Sequence, residues 1–164
     1  MNWPNLIKTG TLRELRQAFL EGAPNLAPDS RGFPLLHHAC MREDGGFRAA
    51  KALLDAGADP NEKDGGRFRQ TPLHLAAEQG DLELAELLLE RGAEADTRDA
   101  WGNGPVWKAL HSGSLDVQGP RRGRYVRMVR LLVEHGAELD RDNEAGFSPR
   151  HHLRHPWYEE LREL

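Results

Sequence analysis

An all-α fold, a solenoid of helix-turn-helix units with projecting turns, follows from three features of this 164-residue sequence. Glycine-alanine pairs end apolar runs at Gly22-Ala23, Gly57-Ala58, Gly92-Ala93 and Gly136-Ala137, with spacings of 35, 35 and 44 residues. A period in that range marks stacked supersecondary units. Before each glycine the same four positions are small or apolar, an i, i+3, i+6, i+7 stripe that forms the inward face of a helix closed by glycine. Finally, one Ile, five Val and four Thr stand against 24 Leu and 18 Ala, which suits helices and starves a sheet. The length corresponds to about one domain, residues 1–164, with one core.

Each unit can be justified in turn. Residues 4–28 keep only an outer helix, on Leu12, Leu15, Ala18 and Phe19; Glu14 and Gln17 replace the Leu84 and Leu87 of a later repeat, so its far face is polar and it reads as an N-terminal cap. Residues 29–63 form repeat one, with an inner helix from Pro34-Leu35-Leu36-His37-His38-Ala39-Cys40 and an outer helix on Phe47, Ala50, Leu53 and Leu54. Residues 64–98 are the template. Thr71 caps the inner helix and Pro72 takes its first position, where a missing N–H costs nothing; Leu82, Ala85, Leu88 and Leu89 face inward from the outer helix. Residues 99–141 repeat this with Gly104-Pro105-Val106-Trp107 and with Val126, Val129, Leu132 and Val133. Residues 142–164 begin another unit at Ser148-Pro149-Arg150-His151, but Arg154-His155-Pro156 interrupts it. Trp157 to Leu164 leave room for about two helical turns, with Trp157 and Leu161 closing the core.

Insertions break the strict period. Repeat one gains two residues near Glu43-Asp44, and the turn of repeat two is lengthened around Gly65-Gly66-Arg67. Repeat three gains eleven between its helices, near residues 112–124.

These residues, above all Thr71-Pro72-Leu73-His74 and its relatives at 34–37, 104–107 and 148–151, strongly resemble the ankyrin repeat family from about Leu6 to Leu164. The resemblance implies a solenoid whose turns and inner helices line a concave face that holds a partner protein. It also implies that His37, His74 and His151 bond to backbone in the neighbouring turn, which would leave those imidazoles unavailable to a metal. The run Asp99 to Ala109 looks like a variant common in short bacterial ankyrin proteins, some of which are immunity proteins that neutralise a toxin.

Other classes find little support. A formal charge of −4 and pI near 6.1 argue against a surface built for nucleic acid. No apolar run is long enough to span a membrane, and the start lacks a basic segment followed by an apolar one, so a cytoplasmic location is expected. Cys40 has no sequence surroundings of a nucleophile; no phosphate loop, Gly-x-Ser-x-Gly elbow or His-Glu-x-x-His helix occurs, so neither catalysis nor a cofactor or metal is expected.

The remaining candidates lie on the concave face. Its register positions are Ser30, Arg31, Phe33, Met41 and Arg42 in repeat one, then Arg67, Phe68, Gln70, Glu78 and Gln79 in repeat two. Repeat three supplies Trp101, Asn103, Trp107, His111 and Ser112, and the last unit Glu144 and Phe147. Phe33, Phe68, Trp101 and Phe147 fall at or beside turn tips, where packing does not demand a large aromatic and where binding energy concentrates in such residues. The expectation is a non-catalytic protein-binding module, monomeric when free. Two narrower alternatives are an immunity protein against a toxin and a nucleic-acid-associated regulator using the arginine-rich loop 119–124.

Overall fold

The structure, a computed structural model, describes residues 2–22, 24–42, 46–115 and 122–164, apart from the side chains of Leu12, Arg122 and Trp157. Ala23, the extra residues at Glu43-Asp44 and the Gly119-Pro120-Arg121 part of the basic loop lie outside the described residues. Helices follow the repeat: α1 (Trp3–Thr9), α2 (Leu12–Glu21), α3 (Leu35–Cys40), α4 (Gly46–Asp55), α5 (Pro72–Gln79), α6 (Leu82–Glu90), α7 (Pro105–Leu115), α8 (Arg122–Glu134) and α9 (Pro149–Leu153), then a 3₁₀ helix (Pro156–Leu161). No strand occurs among the described residues. Inner helices α1, α3, α5, α7 and α9 stack in one layer, and α4, α6 and α8 stack as the outer layer.

The inward stripes form one continuous core running through all units: Leu15 and Ala18, then Ala50, Leu53 and Leu54, then Ala85 and Leu88, then Val126, Val129 and Leu132. Each outer helix from α4 onward ends in a left-handed glycine, at Gly57, Gly92 and Gly136 with φ near 90°. That turn lets the next amide reach back to the helix: Ala58 donates to Leu53, Ala93 to Leu88 and Ala137 to Leu132. Gly22 differs, being extended at φ 168°.

Three expectations need correction. The N-terminal unit has two helices, not one. Asn2 caps α1 through its side chain and Pro4 sits in the first turn, while Ile7 is fully buried as part of the core. Repeat three does not hold its extra residues only in a loop, because α7 runs on to Leu115 and α8 already starts at Arg122. The longer α7 passes Tyr125 and Tyr158 at Gly113, where a Cβ would stand 2.5 Å from the Tyr158 hydroxyl. At the C-terminus a 3₁₀ helix replaces the two expected α-turns. Leu161 is buried as expected, and Tyr158 joins it, donating to the Leu110 carbonyl at 2.6 Å.

Candidate functional site

Between the outer helix of one unit and the inner helix of the next, the chain projects as a finger, and each finger is closed at its base by one short polar side chain. Asp29 Oδ1 accepts from the amides of Arg31 and Phe33, Asp99 Oδ1 from those of Trp101 and Asn103, and Asn143 Oδ1 from those of Ala145 and Phe147. Asp64 spreads the same task over both oxygens, Oδ1 taking Gly66 N–H and Oδ2 taking Gln70 N–H. These four positions repeat the 35, 35, 44 spacing, a signal present in the sequence but masked by the change from Asp to Asn and by the longer second finger. Burial raises the Asp29 carboxyl, yet the amides of Phe33 and Arg31, with His38, outweigh it and hold it at about 2.

Neighbouring fingers are tied together by histidines. His37 Nε2 donates to the Gln70 carbonyl at 2.8 Å and His74 Nε2 to the Asn103 carbonyl at 3.0 Å. His74 Nδ1 accepts from the Thr71 amide at 3.2 Å and from its hydroxyl at 2.8 Å, so every polar atom of the ring is satisfied. Burial drives its pKa down to about 4, against the bond to Asn103. His37 is lowered by burial too, and its Nδ1 has no partner because Pro34 stands where Thr71 stands in the next repeat. His151 repeats the cap with Ser148, and no further finger follows it among the described residues. The repeated imidazoles are thus spent on the scaffold. Among the described residues no cluster of three or more His, Cys, Asp or Glu is arranged to hold a metal ion. Cys40 is buried, and that burial, followed by the charge of Asp81, pushes its thiol far up, away from a nucleophilic thiolate.

The finger tips are different. Phe68 and Trp101, from adjacent fingers, meet with ring centroids 4.7 Å apart at 55°. Their backbones are pinned, since Ala100 N–H donates to the Phe68 carbonyl at 2.8 Å. Trp101 is 43% exposed and Phe68 half-buried. Cations flank both rings. The Arg67 guanidinium lies 4.6 Å from the Phe68 centroid and Lys108 Nζ 5.9 Å from that of Trp101, with Lys108 itself held by Asp99 at 3.2 Å. Next to them Arg69 adopts φ +52°, where the other three fingers place Gly32, Gly102 and Gly146. A left-handed non-glycine residue costs roughly 1–2 kcal/mol, so the second finger carries strain that its neighbours avoid.

Of the sequence-predicted residues, Arg67, Phe68 and Trp101 converge, while Arg31, Met41, Glu78, His111 and Glu144 are exposed along the same run of fingers and inner helices, and Ser112 is half-buried. Several expectations fail. Gln70 and Asn103 are buried because they follow the left-handed residue of their fingers, where the chain turns inward; Asn103 Oδ1 accepts from Asn143 of the next finger. Phe33 occupies that same inward register, half-buried, stacked on His38 at 6.0 Å and approached by Gly66. Phe147 sits there too, yet it is 55% exposed because no described finger covers it. The four aromatics therefore belong to two registers, and only Phe68 and Trp101 are tips. Half-buried Arg42 donates to the Ile7 and Gly10 carbonyls at the end of α1 and so ties two units together, whereas Gln79, which also donates to the Cys40 carbonyl, is exposed on the predicted face. Trp107 stacks on His111 at 4.8 Å and meets His152 edge-on at 5.3 Å, filling space toward the last unit rather than between repeats two and three. Arg69 and Lys108 are the site residues that periodicity did not find. Arg69 stands out only through its backbone conformation, and Lys108 through its approach to the Trp101 ring, neither of which periodicity records.

The same architecture is found among known proteins. The family model for ankyrin repeats (3 copies) matches residues 36–143. Human cyclin-dependent kinase inhibitor 2A is 37% identical over 118 residues, 72% of this chain and 70% of the relative. Human cyclin-dependent kinase 4 inhibitor B is 43% identical over 110 residues, 67% of this chain and 77% of the relative. Serine/threonine-protein kinase 12 of Arabidopsis thaliana is 35% identical over 98 residues, 60% of this chain but only 18% of that protein. The chain thus spans a small part of some relatives and most of others. The finger and helix-pair geometry and the match over residues 36–143 agree, and the chain belongs to the ankyrin repeat family.

Proposed function

We propose that the chain is a protein-binding module with no chemistry of its own, receiving its partner across the finger tips and the exposed flank of the inner helices. The observation that carries this reading is the Phe68–Trp101 pair: two aromatic rings in contact on neighbouring turns, flanked by cations and partly exposed to solvent. Preorganised aromatic anchors of this kind lose little entropy on binding. Two relatives are, by name, inhibitors of kinases, which makes a protein the class of partner they share. No helix among the described residues is long and apolar enough to cross a membrane, and a cytoplasmic site of action accords with the reading.

The narrower alternatives gain no specific support. The relatives named above come from a plant and from humans, and none of the three carries a toxin-immunity name. Of the basic loop 119–124, the described part from residue 122 onward is the first turn of α8. The test is a double variant, Phe68→Ala with Trp101→Ala, in the full chain. Its melting temperature stays within a few degrees of the parent, and the protein partner that co-purifies with the parent is lost on size-exclusion chromatography. Unchanged co-purification would move the site elsewhere.

A further inference from the structure

We propose that the partner presents an acidic segment with apolar anchors, in spite of the chain's own net negative charge; this rests on the protein-binding reading above. The net charge of −4 is an average over the whole surface and does not describe the tips of fingers one and two. On the fingers, three of the carboxylates, Asp29, Asp64 and Asp99, are turned into the finger bases, where backbone amides and Lys108 consume them. Arg31, Arg67 and Arg69 project from fingers one and two and are exposed, Arg31 lying only 3.8 Å from Asp29 and 70% exposed along its side chain. Against them stand Glu78 on α5 and Glu144 on finger four, and exposed Asp59, Glu94, Glu138, Asp140 and Asp142 lie between the outer helices and the finger bases. Many of the remaining acids lie elsewhere: Glu83, Glu86 and Glu90 on α6, Glu134 on α8, and Glu159, Glu160 and Glu163 at the C-terminal end, all exposed.

Arg69 is the second, independent sign. Glycine serves this turn in the other three fingers without strain, yet here a long cation is held in a left-handed conformation directly after Phe68 in the chain. Strain of this sort persists where a side chain has a use that glycine cannot supply. The arrangement favours carboxylates over nucleic acid. Arg67 already lies over Phe68 and Lys108 approaches Trp101, so ring faces that would stack bases are partly taken, and Glu78 and Glu144 would repel a continuous phosphate backbone. Discrete carboxylates between apolar side chains satisfy three arginine forks and fill the tip pair together.

The experiment is selection of binders to the full chain from a random 16-residue peptide display library, followed by fluorescence anisotropy with the enriched peptides and with a dT12 oligonucleotide as competitor. Enriched peptides are expected to carry an excess of Asp and Glu around one or two aromatic or aliphatic anchors. Their affinity should fall at least about tenfold in the Arg31→Glu, Arg67→Glu, Arg69→Glu triple variant, and repeating the selection on that variant should enrich Lys and Arg. Circular dichroism of the triple variant checks that it is folded, and the single Arg69→Gly chain, which relieves strain, must also bind more weakly. Enrichment of neutral or basic peptides that still depend on Phe68 and Trp101 would overturn the acidic partner while leaving the protein-binding reading intact. Acidic peptides indifferent to Phe68→Ala with Trp101→Ala would overturn both, and so would a library yielding no binder. Displacement of the peptides by dT12 at comparable concentration would assign the face to nucleic acid instead.

Discussion

The base and the tip of a finger lie a few residues apart and follow opposite rules. At the base, polar side chains are buried: Asp64, Gln70, Thr71, His74, Asp99 and Asn103 are all shielded from water. At the tip, aromatic Trp101 stands in solvent. The base is stable because the described bonds pair these groups with amides, carbonyls or a cation, which offsets the cost of their burial. The tip is open because, among the described residues, the Trp101 ring is covered only in part, by Phe68 on one side. On the proposed reading cohesion and recognition fall to different atoms of one turn, so the two should be separable by mutation.

The largest effect is expected at the base. Asp99→Ala leaves the Trp101 and Asn103 amides and the largely buried Lys108 ammonium without their acceptor, a loss of about 3 kcal/mol, read as a lower urea midpoint with unchanged slope. A loss below 1 kcal/mol would show that the base is not what holds the fingers. Next comes acid. The pKa of His74 is lower in the folded chain, about 4, than the ordinary value of 6.5, so its neutral form contributes stability that is complete above pH 6.5 and is lost as pH falls through 4. That window is worth roughly 3 kcal/mol at most. His37 and His152 shift in the same direction through burial. Urea midpoints measured from pH 7 to 4 should fall steadily, and His74→Gln should flatten the curve; an unchanged curve would mean that the ring is not buried neutral.

At the tip the order reverses between stability and binding. Trp101→Ala removes a half-exposed ring and its contact with Phe68, costing about 1 kcal/mol of stability while abolishing partner binding. Arg69→Gly is the smallest change in stability and has the opposite sign, a gain of about 0.5–1 kcal/mol coupled to weaker binding. A variant that loses both together would erase the division between base and tip.

The contrast also shows what was readable. Glycine spacing and the apolar stripes located α2, α4, α6 and α8, since a buried helical face and a left-handed exit impose their residue types locally. The second helix of the N-terminal unit was not readable, because α1 has only seven residues and lacks the Thr-Pro-x-His opening of the other inner helices. Within the site, Arg67, Phe68 and Trp101 were legible as large side chains where packing asks for none. Gln70 and Phe33 were misplaced by sequence register, because a two-residue lengthening of one finger shifts which residue follows the left-handed turn.

Periodicity alone determined the stack, its order and its family resemblance, because repeated local chemistry writes itself into spacing. Tertiary structure alone decided how far the finger arginines are exposed and that Phe68 touches Trp101. The ring contact joins residues 33 positions apart, and a side chain's exposure is set by its neighbours rather than by its type.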